Sequence, residues 1–385
     1  MFKIRKVEFI NHPILGGLTL DFCDASGHAV DTVIFAGENG VGKSTILNAL
    51  YELSAYNTKI ELNLEIERTE GIEVLQYRRD ERNNLIYVFD STKSGYYIGS
   101  DNFKRTYNFH GIFSDVDINF HSNDLSNVTS LALDQKIESR RSSNNLPTEI
   151  KQLLIDIQAL DDADIAYWVK HNFGANTDKM VISERIPRFT KAFAGMFDNL
   201  EYDRIENVDG HKEILFSKSG HNIPIDALSS GEKQIVYRGC FLLKDANAMN
   251  GAFVFIDEPE ISLHPKWQMK VMDYYKGIFT DESGKQTSQI FAVTHSPFII
   301  HNENRKNDEV IVLARDSNGK IVVKDKPAYY KCSSVEAVQD AFEIHDFDSG
   351  NPTVYLEGRT DEKYFRKTAE IFDIDLPFQF RWIGY

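Results

Sequence analysis

Apolar and polar residues alternate with two different periods along this chain, and the change of period marks its elements. Residues 2–9 alternate with period two, as a half-buried strand does, and residues 18–22 and 30–36 extend the strand pattern. The first two predict an antiparallel edge leading into the third. Ile46, Leu47, Ala49, Leu50 and Leu53 then recur at helical spacing, predicting a helix over 46–56. Alternation returns at 61–67 and in part at 85–89, which predicts a second sheet laid on the first. Residues 91–150 are polar, with scattered aromatics, and 140–145 hold so little to bury that they read as weakly ordered. Pro147 opens a helix with Ile150, Leu153, Leu154 and Ile157 on one face, continuing helically through 163–169. Pro187 begins another, carrying Phe189, Phe193, Met196 and Phe197.

Beyond this helical stretch, strands are expected at 212–216, 252–256, 290–294 and 310–314, with helices at 234–243 and 266–275. That rhythm predicts an α/β fold with a mostly parallel sheet and helices against it. A linking helix is expected at 334–342. A new unit follows, with a strand at 353–356, a helix from Thr360 to about Ile371 and a second strand over 378–384.

One loop organises these elements. Gly37-Glu38-Asn39-Gly40-Val41-Gly42-Lys43-Ser44-Thr45 fits the phosphate-binding pattern G-x-x-x-x-G-K-[ST], between a buried strand and a helix. Glycine lets the backbone wrap around phosphate oxygens, and a helix start presents free N–H groups and the positive dipole end. Asn39, Gly40, Gly42, Lys43, Ser44 and Thr45 are therefore the expected nucleotide contacts. Lys43 reaches the β- and γ-phosphates, and the Ser44 hydroxyl ligates Mg2+.

Four further segments fit the loop. The strand Phe253-Val254-Phe255-Ile256 ends in Asp257 and Glu258. Asp257 is expected to complete the Mg2+ shell opposite Ser44, and Glu258 to polarise the attacking water. Ser229, Ser230, Gly231 and Glu232 open a helix and predict a second anion site. His295, at the tip of a core strand, is expected to contact the γ-phosphate. Residues 260–265 follow the acidic pair and are expected at a dimer interface.

Composition narrows the class. A formal net charge of -15 over 385 residues argues against whole-surface attraction to nucleic acid, leaving only a local basic groove. Three scattered cysteines suggest a reducing cytoplasm, and no apolar run is long enough to span a membrane. Arginines at 78–79, 140–141 and 185–188 are the candidate phosphate contacts for DNA, or else solvated surface.

Taken together, these motifs resemble the ABC-type ATPase heads of chromosome maintenance and DNA repair. More closely they resemble the ATPase of the overcoming-lysogenization-defect (OLD) family, over most of residues 1–57 and 210–345. The resemblance implies a head split into 1–90 and 210–345, with 91–209 as an inserted polar and helical region. It implies ATP and Mg2+ as ligands. It also implies a homo-oligomer, at least a head-to-tail dimer, in which Ser229 to Glu232 of one chain meet the γ-phosphate held by Lys43 of the other. The family's signature is often Leu-Ser-Gly-Gly-Gln; Ser230 and Glu232 depart from it, which bears on the rate of hydrolysis. The family senses Mg2+ through a glutamine after the first motif. Gln76 is the candidate for that role, or else an ordinary strand residue.

The second unit, 350–385, resembles the opening of a Toprim domain, the metal-dependent DNA-cleaving domain that follows the ATPase in the OLD family. There Glu357 matches a metal ligand or acid/base residue, and a second divalent metal, Mg2+ or Mn2+, is implied. Asp361 matches a position often acidic near that site, whereas Asp373 and Asp375 come too early to serve as its carboxylate pair. OLD-like proteins act in bacterial defence against phage, some held by partner proteins or retron DNA–RNA elements. The resemblance thus implies an ATP-gated endonuclease acting on DNA, with an ATP-dependent DNA clamp as the alternative.

Overall fold

The computed structural model describes residues 2–80, 85–92, 95–97, 100–116, 121–129, 139–173, 185–190, 193, 195–244, 251–281, 283–301, 308–324, 353–356, 359–372, 374, 376 and 378–382. The chain forms two compact units, Met1–Ser334 and Val335–Tyr385.

In the first unit, β1 (Lys3–Ile10), β2 (Thr19–Asp21) and β3 (Thr32–Gly37) lead into α1 (Lys43–Ser54). β4 (Glu61–Arg68), β5 (Gly71–Asp80), β6 (Leu85–Asp90) and β7 (Gly95–Tyr97) follow, then α2 (Ser100–Tyr107), β8 (Gly111–Ser114) and β9 (Arg140–Arg141). Next come α3 (Leu146–His171), α4 (Ile186–Thr190), and β10 (Leu200–Val208), β11 (His211–Lys218) and β12 (His221–Pro224). The second half of the core is α5 (Ser230–Leu242), β13 (Phe253–Asp257), α6 (Pro265–Ile278), β14 (Gln289–Val293), α7 (Pro297–Ile300), β15 (Asp308–Arg315) and β16 (Ile321–Val323).

The core sheet runs β16-β15-β3-β14-β13-β8-β9, parallel except for β16. Its central strands are apolar on both faces, as a covered parallel sheet requires. Ile34, Val254, Ile256, Ile290 and Ala292 pack with α3, α5 and α6 on one face. Val33, Phe35, Phe253, Phe255, Phe291 and Val293 pack with α1 and the antiparallel sheet β2-β1-β4-β5-β6-β7 on the other. This is an α/β fold with a mostly parallel core sheet, an antiparallel sheet at its N-terminal side and an inserted helical region. It brings the carboxyl ends of β3, β13 and β14 side by side, where open α/β sheets bind ligands.

The polar stretch proves more structured than its composition suggests. β8 lies inside the core sheet beside β13, and β9 extends that sheet beyond it. Arg140 and Arg141, expected to be weakly ordered, form its edge strand. The reason is side-chain chemistry rather than hydrophobicity: Arg140 donates to the carbonyls of Phe241 and Leu242 at 3.2 and 3.0 Å, finishing the end of α5. The helix expected from Pro187 stops at Thr190, and Phe193, Met196 and Phe197 are buried outside it.

The second unit holds β17 (Thr353–Leu356), α8 (Arg359–Phe372) and β18 (Gln379–Trp382), with β17 and β18 paired in parallel. It is a strand–helix–strand unit, as its periodicity predicts. The linking helix expected at 334–342 lies outside the described residues.

Candidate active site

The phosphate-binding loop turns on three glycines at positive φ, Gly37 at 137°, Gly40 at 77° and Gly42 at 83°. Gly42 is the N-cap of α1 at φ 83°, where an added Cβ would come within 2.8 Å of Leu15 Cδ2. No side chain caps α1, so its first amides stay open. Asn39 and Gly40 are exposed at the loop tip, and Arg315 Nη2 donates to the Gly40 carbonyl at 2.7 Å. Lys43 is folded back on its loop, donating to Gly37 O at 2.7 Å and Glu38 O at 2.8 Å. Burial holds its ammonium below the ordinary lysine pKa, against the opposing pull of Glu258, Asp257 and Glu260. Ser44 is exposed and Thr45 half-buried on the first turn.

Across from the loop, Asp257 ends β13 and is buried. Ser44 Oγ donates to its Oδ1 at 3.4 Å. Burial pushes the Asp257 carboxyl up to about 6, and the neighbouring charges of Glu258 and Asp115 push the same way. A buried carboxylate beside a serine hydroxyl, with no cationic side chain among the described residues bonded to its oxygens, matches what Mg2+ asks of a protein: one or two oxygens, the rest coming from phosphate and water. Among the described residues no cluster of three or more His, Cys, Asp or Glu side chains offers a closed metal cage.

Glu258 has φ 45°, a left-handed conformation that costs a non-glycine residue on the order of 1–2 kcal/mol. Its amide donates to Val293 O at 2.9 Å, which holds the turn against β14. Its Oε1 lies 3.9 Å from His295 Nε2, and both side chains are a little over one-third exposed, so water reaches them. Strain of this kind persists where the surroundings fix it, and it collects at active sites.

The structure brings Lys43, Ser44, Asp257, Glu258 and His295 together at one sheet edge. Ser229 and Ser230 lie exposed at the start of α5, and no hydrogen bond or ion pair among the described residues joins Ser229 to Glu232 with that group. Instead Ser229 and Glu232 form a reciprocal capping box: Glu232 Oε2 accepts from Ser229 N at 2.9 Å, and Glu232 N donates to Ser229 Oγ at 3.4 Å. Glu232, expected to meet nucleotide, also pairs through Oε1 with Lys218 at 2.7 Å. Burial opposes its charge, but Lys218 and Ser229 hold its carboxyl below the usual range. The spacing Ser-x-x-Glu was the available signal for this box. Gly231 is packed so closely that a Cβ would meet Ser262 O at 2.8 Å. Gln76 lies in β5, opposite Asn63 and Phe89 in the antiparallel sheet. Glu357 lies outside the described residues.

Sequence reasoning missed a supporting network. Asp115 follows β8 and accepts from Arg141 Nε at 2.9 Å; Arg141 Nη1 donates to Asn48 Oδ1 at 2.7 Å, and Asn48 donates to Ser44 O at 2.7 Å. Arg238, fully buried on α5, donates to Asp115 O at 2.8 Å and Asp257 O at 2.9 Å. A lone arginine inside Ile235-Val236-Tyr237-Arg238-Gly239-Cys240-Phe241 was a readable sign of a buried charge. The arginines expected to meet DNA are engaged within the protein. Arg78 bonds Asn63 and Leu62 O, Arg185 bonds Asp161 and Asp164, and Arg188 bonds Lys244 O.

A family model described as "AAA domain, putative AbiEii toxin, Type IV TA system" matches residues 33–301. The chain is similar to the "Retron Vc95 probable ATPase" of Vibrio cholerae serotype O1 biovar El Tor, 23% identical over 266 residues, covering 65% of this chain and 45% of that protein. It is also similar to the "Septu protein PtuA" of Bacillus thuringiensis, 26% identical over 212 residues, covering 52% of this chain and 48% of that protein. The chain thus spans about half the length of the curated relatives it matches. Among solved structures, the SMC head domain from Thermotoga maritima aligns with a TM-score of 0.49 at 12% identity, covering 85% of this chain and 100% of that one. No helix among the described residues is long and apolar enough to cross a membrane.

Proposed function

The chain belongs to the AAA-domain family described as putative AbiEii toxin, type IV TA system, and from that premise we propose that it is an ATP-hydrolysing switch whose two copies close head to tail. The observation that carries the reading is the meeting of five side chains from α1, β13 and the segment after β14. Lys43 faces the phosphates, Ser44 and Asp257 would hold Mg2+, and Glu258 and His295 lie 3.9 Å apart where water reaches them.

Glu258 orients water for in-line attack on the γ-phosphorus. The bond from that phosphorus to the β–γ bridging oxygen breaks, the proton leaves through the Glu258 carboxylate, and ADP and phosphate are the products. Lys43 exchanges its bonds to Gly37 O and Glu38 O for phosphate oxygens, and the open amides of α1 bind the same charge. His295, beside Glu258, contacts the γ-phosphate. When bound, Mg2+ neutralises charge that develops on the transferring phosphoryl group.

Ser229 to Gly231 of one copy complete the other's site, and hydrolysis reopens the pair. The likeness to a retron ATPase and a Septu protein, with the OLD-like motifs, supports a role in bacterial defence against phage. The unit opened by β17 and α8 begins a Toprim-type nuclease domain, with Glu357 as a ligand of its metal and DNA as substrate.

The test compares wild type, Lys43→Ala and Glu258→Gln for phosphate release and for ATP-dependent pairing by light scattering. Hydrolysis lost in both variants, with pairing retained in Glu258→Gln, is the expected result. Wild type that neither binds nor hydrolyses ATP with Mg2+ present overturns the reading. Plasmid cutting by the natural full-length protein and its Glu357→Ala variant tests the nuclease part separately. Cutting that persists in Glu357→Ala removes that residue from the mechanism.

A further inference from the structure

The residue three places after Asp257 has no role in the account above, yet it is tied to the site from within. Glu260 Oε1 accepts from the backbone amide of His295 at 2.6 Å and from that of Ser296 at 3.1 Å. Burial pushes its carboxyl up, while hydrogen bonds from the His295 amide and the Thr294 side chain draw it down.

A second tie runs parallel to the first. Ser296 Oγ donates to Gln268 Oε1 at 2.6 Å, and Gln268 Nε2 donates to Leu263 O at 2.8 Å. Gln268 is on α6, one turn beyond the His264 N-cap. The stretch 258–268 is therefore fastened to 295–296 at both its beginning and its end. It is also a strained stretch: besides Glu258, Ser262 sits at φ 60°. Gly231, in the loop that would meet the partner's nucleotide, packs against Ser262 O.

We propose that Glu260 is a positioning residue for ATP hydrolysis: its carboxylate clamps the His295–Ser296 backbone and thereby sets His295 against Glu258. This rests on the hydrolytic reading of Glu258 and His295. The amide of His295 is held by Glu260 and its ring stands 3.9 Å from Glu258, so a single carboxylate, two residues after Glu258, fixes the spacing of the pair. Without it, the amide of His295 loses its acceptor while Thr294 and Ser296 keep their bonds to Phe35 O and Gln268, and the imidazole is free to leave the phosphate. Because 261–264 lies between the two ties and touches the loop of Gly231, a shift of that loop is transmitted to His295.

The experiment measures kcat, KM for ATP and the Kd of a fluorescent ATP analogue for wild type, Glu260→Ala, Glu260→Gln, His295→Ala and the Glu260→Ala/His295→Ala double variant. Glu260→Ala is expected to lower kcat by about 10²-fold with Kd changed by less than about twofold, as a misplaced group of this kind does. Glu260→Gln keeps a carbonyl oxygen for both amides and is expected to restore most of kcat. In the His295→Ala background, removing Glu260 is expected to cost less than about threefold more, because the two act as one unit. Wild-type kcat in Glu260→Ala, no rescue by Glu260→Gln, or a full additional loss in the double variant overturns the proposal. If Glu260→Ala is unfolded by thermal melt, Glu260→Ser, whose hydroxyl is too short to span both amides, replaces it with the same outcomes. Wild type without ATPase activity would instead defeat the hydrolytic reading itself, so the two failures are told apart.

Discussion

Two helices in this protein begin at glycine- and serine-rich loops expected to bind phosphate, and they are finished in opposite ways. α1 starts at Gly42, with no side-chain cap and a lysine folded onto the loop. α5 starts at Ser229, with a complete capping box and a carboxylate, Glu232, paired to Lys218 inside its first turn. The first leaves its amides and its positive dipole end free for an anion. The second bonds the amides of Ser229 and Glu232 within its own box and places a carboxylate in its first turn. A loop of the first kind binds nucleotide on its own; one of the second kind must exchange internal bonds for external ones. In this reading α1 holds ATP in each separate chain, and α5 engages only when a second chain presents the nucleotide. On the function proposed above, the contrast would make pairing, rather than binding, the step that ATP controls.

The sharpest way to break this contrast is at the open helix. Lys43→Ala is expected to lower kcat/KM for ATP by about 10²–10³-fold, read by phosphate release. It should leave the melting temperature unchanged or raised, since burial already disfavours the Lys43 charge. A stability loss with near-normal kinetics would mean that the open end of α1 is structural.

Next comes pH. Burial raises Asp257 to about 6 from its ordinary 3.8, so the folded chain holds a proton there that the unfolded chain releases. Stability without nucleotide therefore falls as pH rises through that window. Asp257→Asn should stabilise the fold at pH 7 by roughly 2–3 kcal/mol while abolishing Mg2+-dependent ATP binding. In wild type, Mg2+-dependent affinity should drop about tenfold per pH unit below about 6. Calorimetry at pH 5 to 8 checks both, and a flat profile would remove Asp257 from the metal shell.

At the closed helix the balance reverses. Ser229→Ala should cost about 1 kcal/mol of stability, seen by denaturant melt, with little change in ATP affinity of the single chain. The smallest effect is expected from Glu232→Gln. Glutamine preserves the capping box while removing charge, so ATP-driven pairing should strengthen several-fold, read by light scattering. Weaker pairing would show that the Glu232 charge helps rather than hinders.

Much of this was legible in the chain because its signals were local. The glycines around Lys43 and the apolar run ending in Asp257 each carry their chemistry in a few consecutive residues, and the structure brings both to one edge. His295 was legible only through its place after a core strand. What was missed depends on contacts distant in sequence. β8 is four residues long, too short for a period, and is recognised only because β13 lies beside it. β9 is two arginines, held by carbonyls about a hundred residues away. Glu260 looked like part of an interface loop because its partners, His295 and Ser296, are contributed by another strand's end. Ser229 and Glu232 were local, but a capping box and a nucleotide-binding signature occupy the same four residues, and the second pattern hid the first.

β8 and β9 are neighbours in one sheet, yet 25 residues of chain, 115–139, run between them. Asp115 directly follows the first and the second contains Arg141, and these two side chains are bonded to each other. The described residues between them are tied elsewhere, Ser122 to Asp226, Leu125 to Lys212 and Thr129 to Asp156, and the Asp115–Arg141 ion pair closes the two strand ends. Through Asn48 and Ser44 that pair is joined to the first turn of α1. A change at the β8–β9 edge thus has a bonded path to the turn that opens α1.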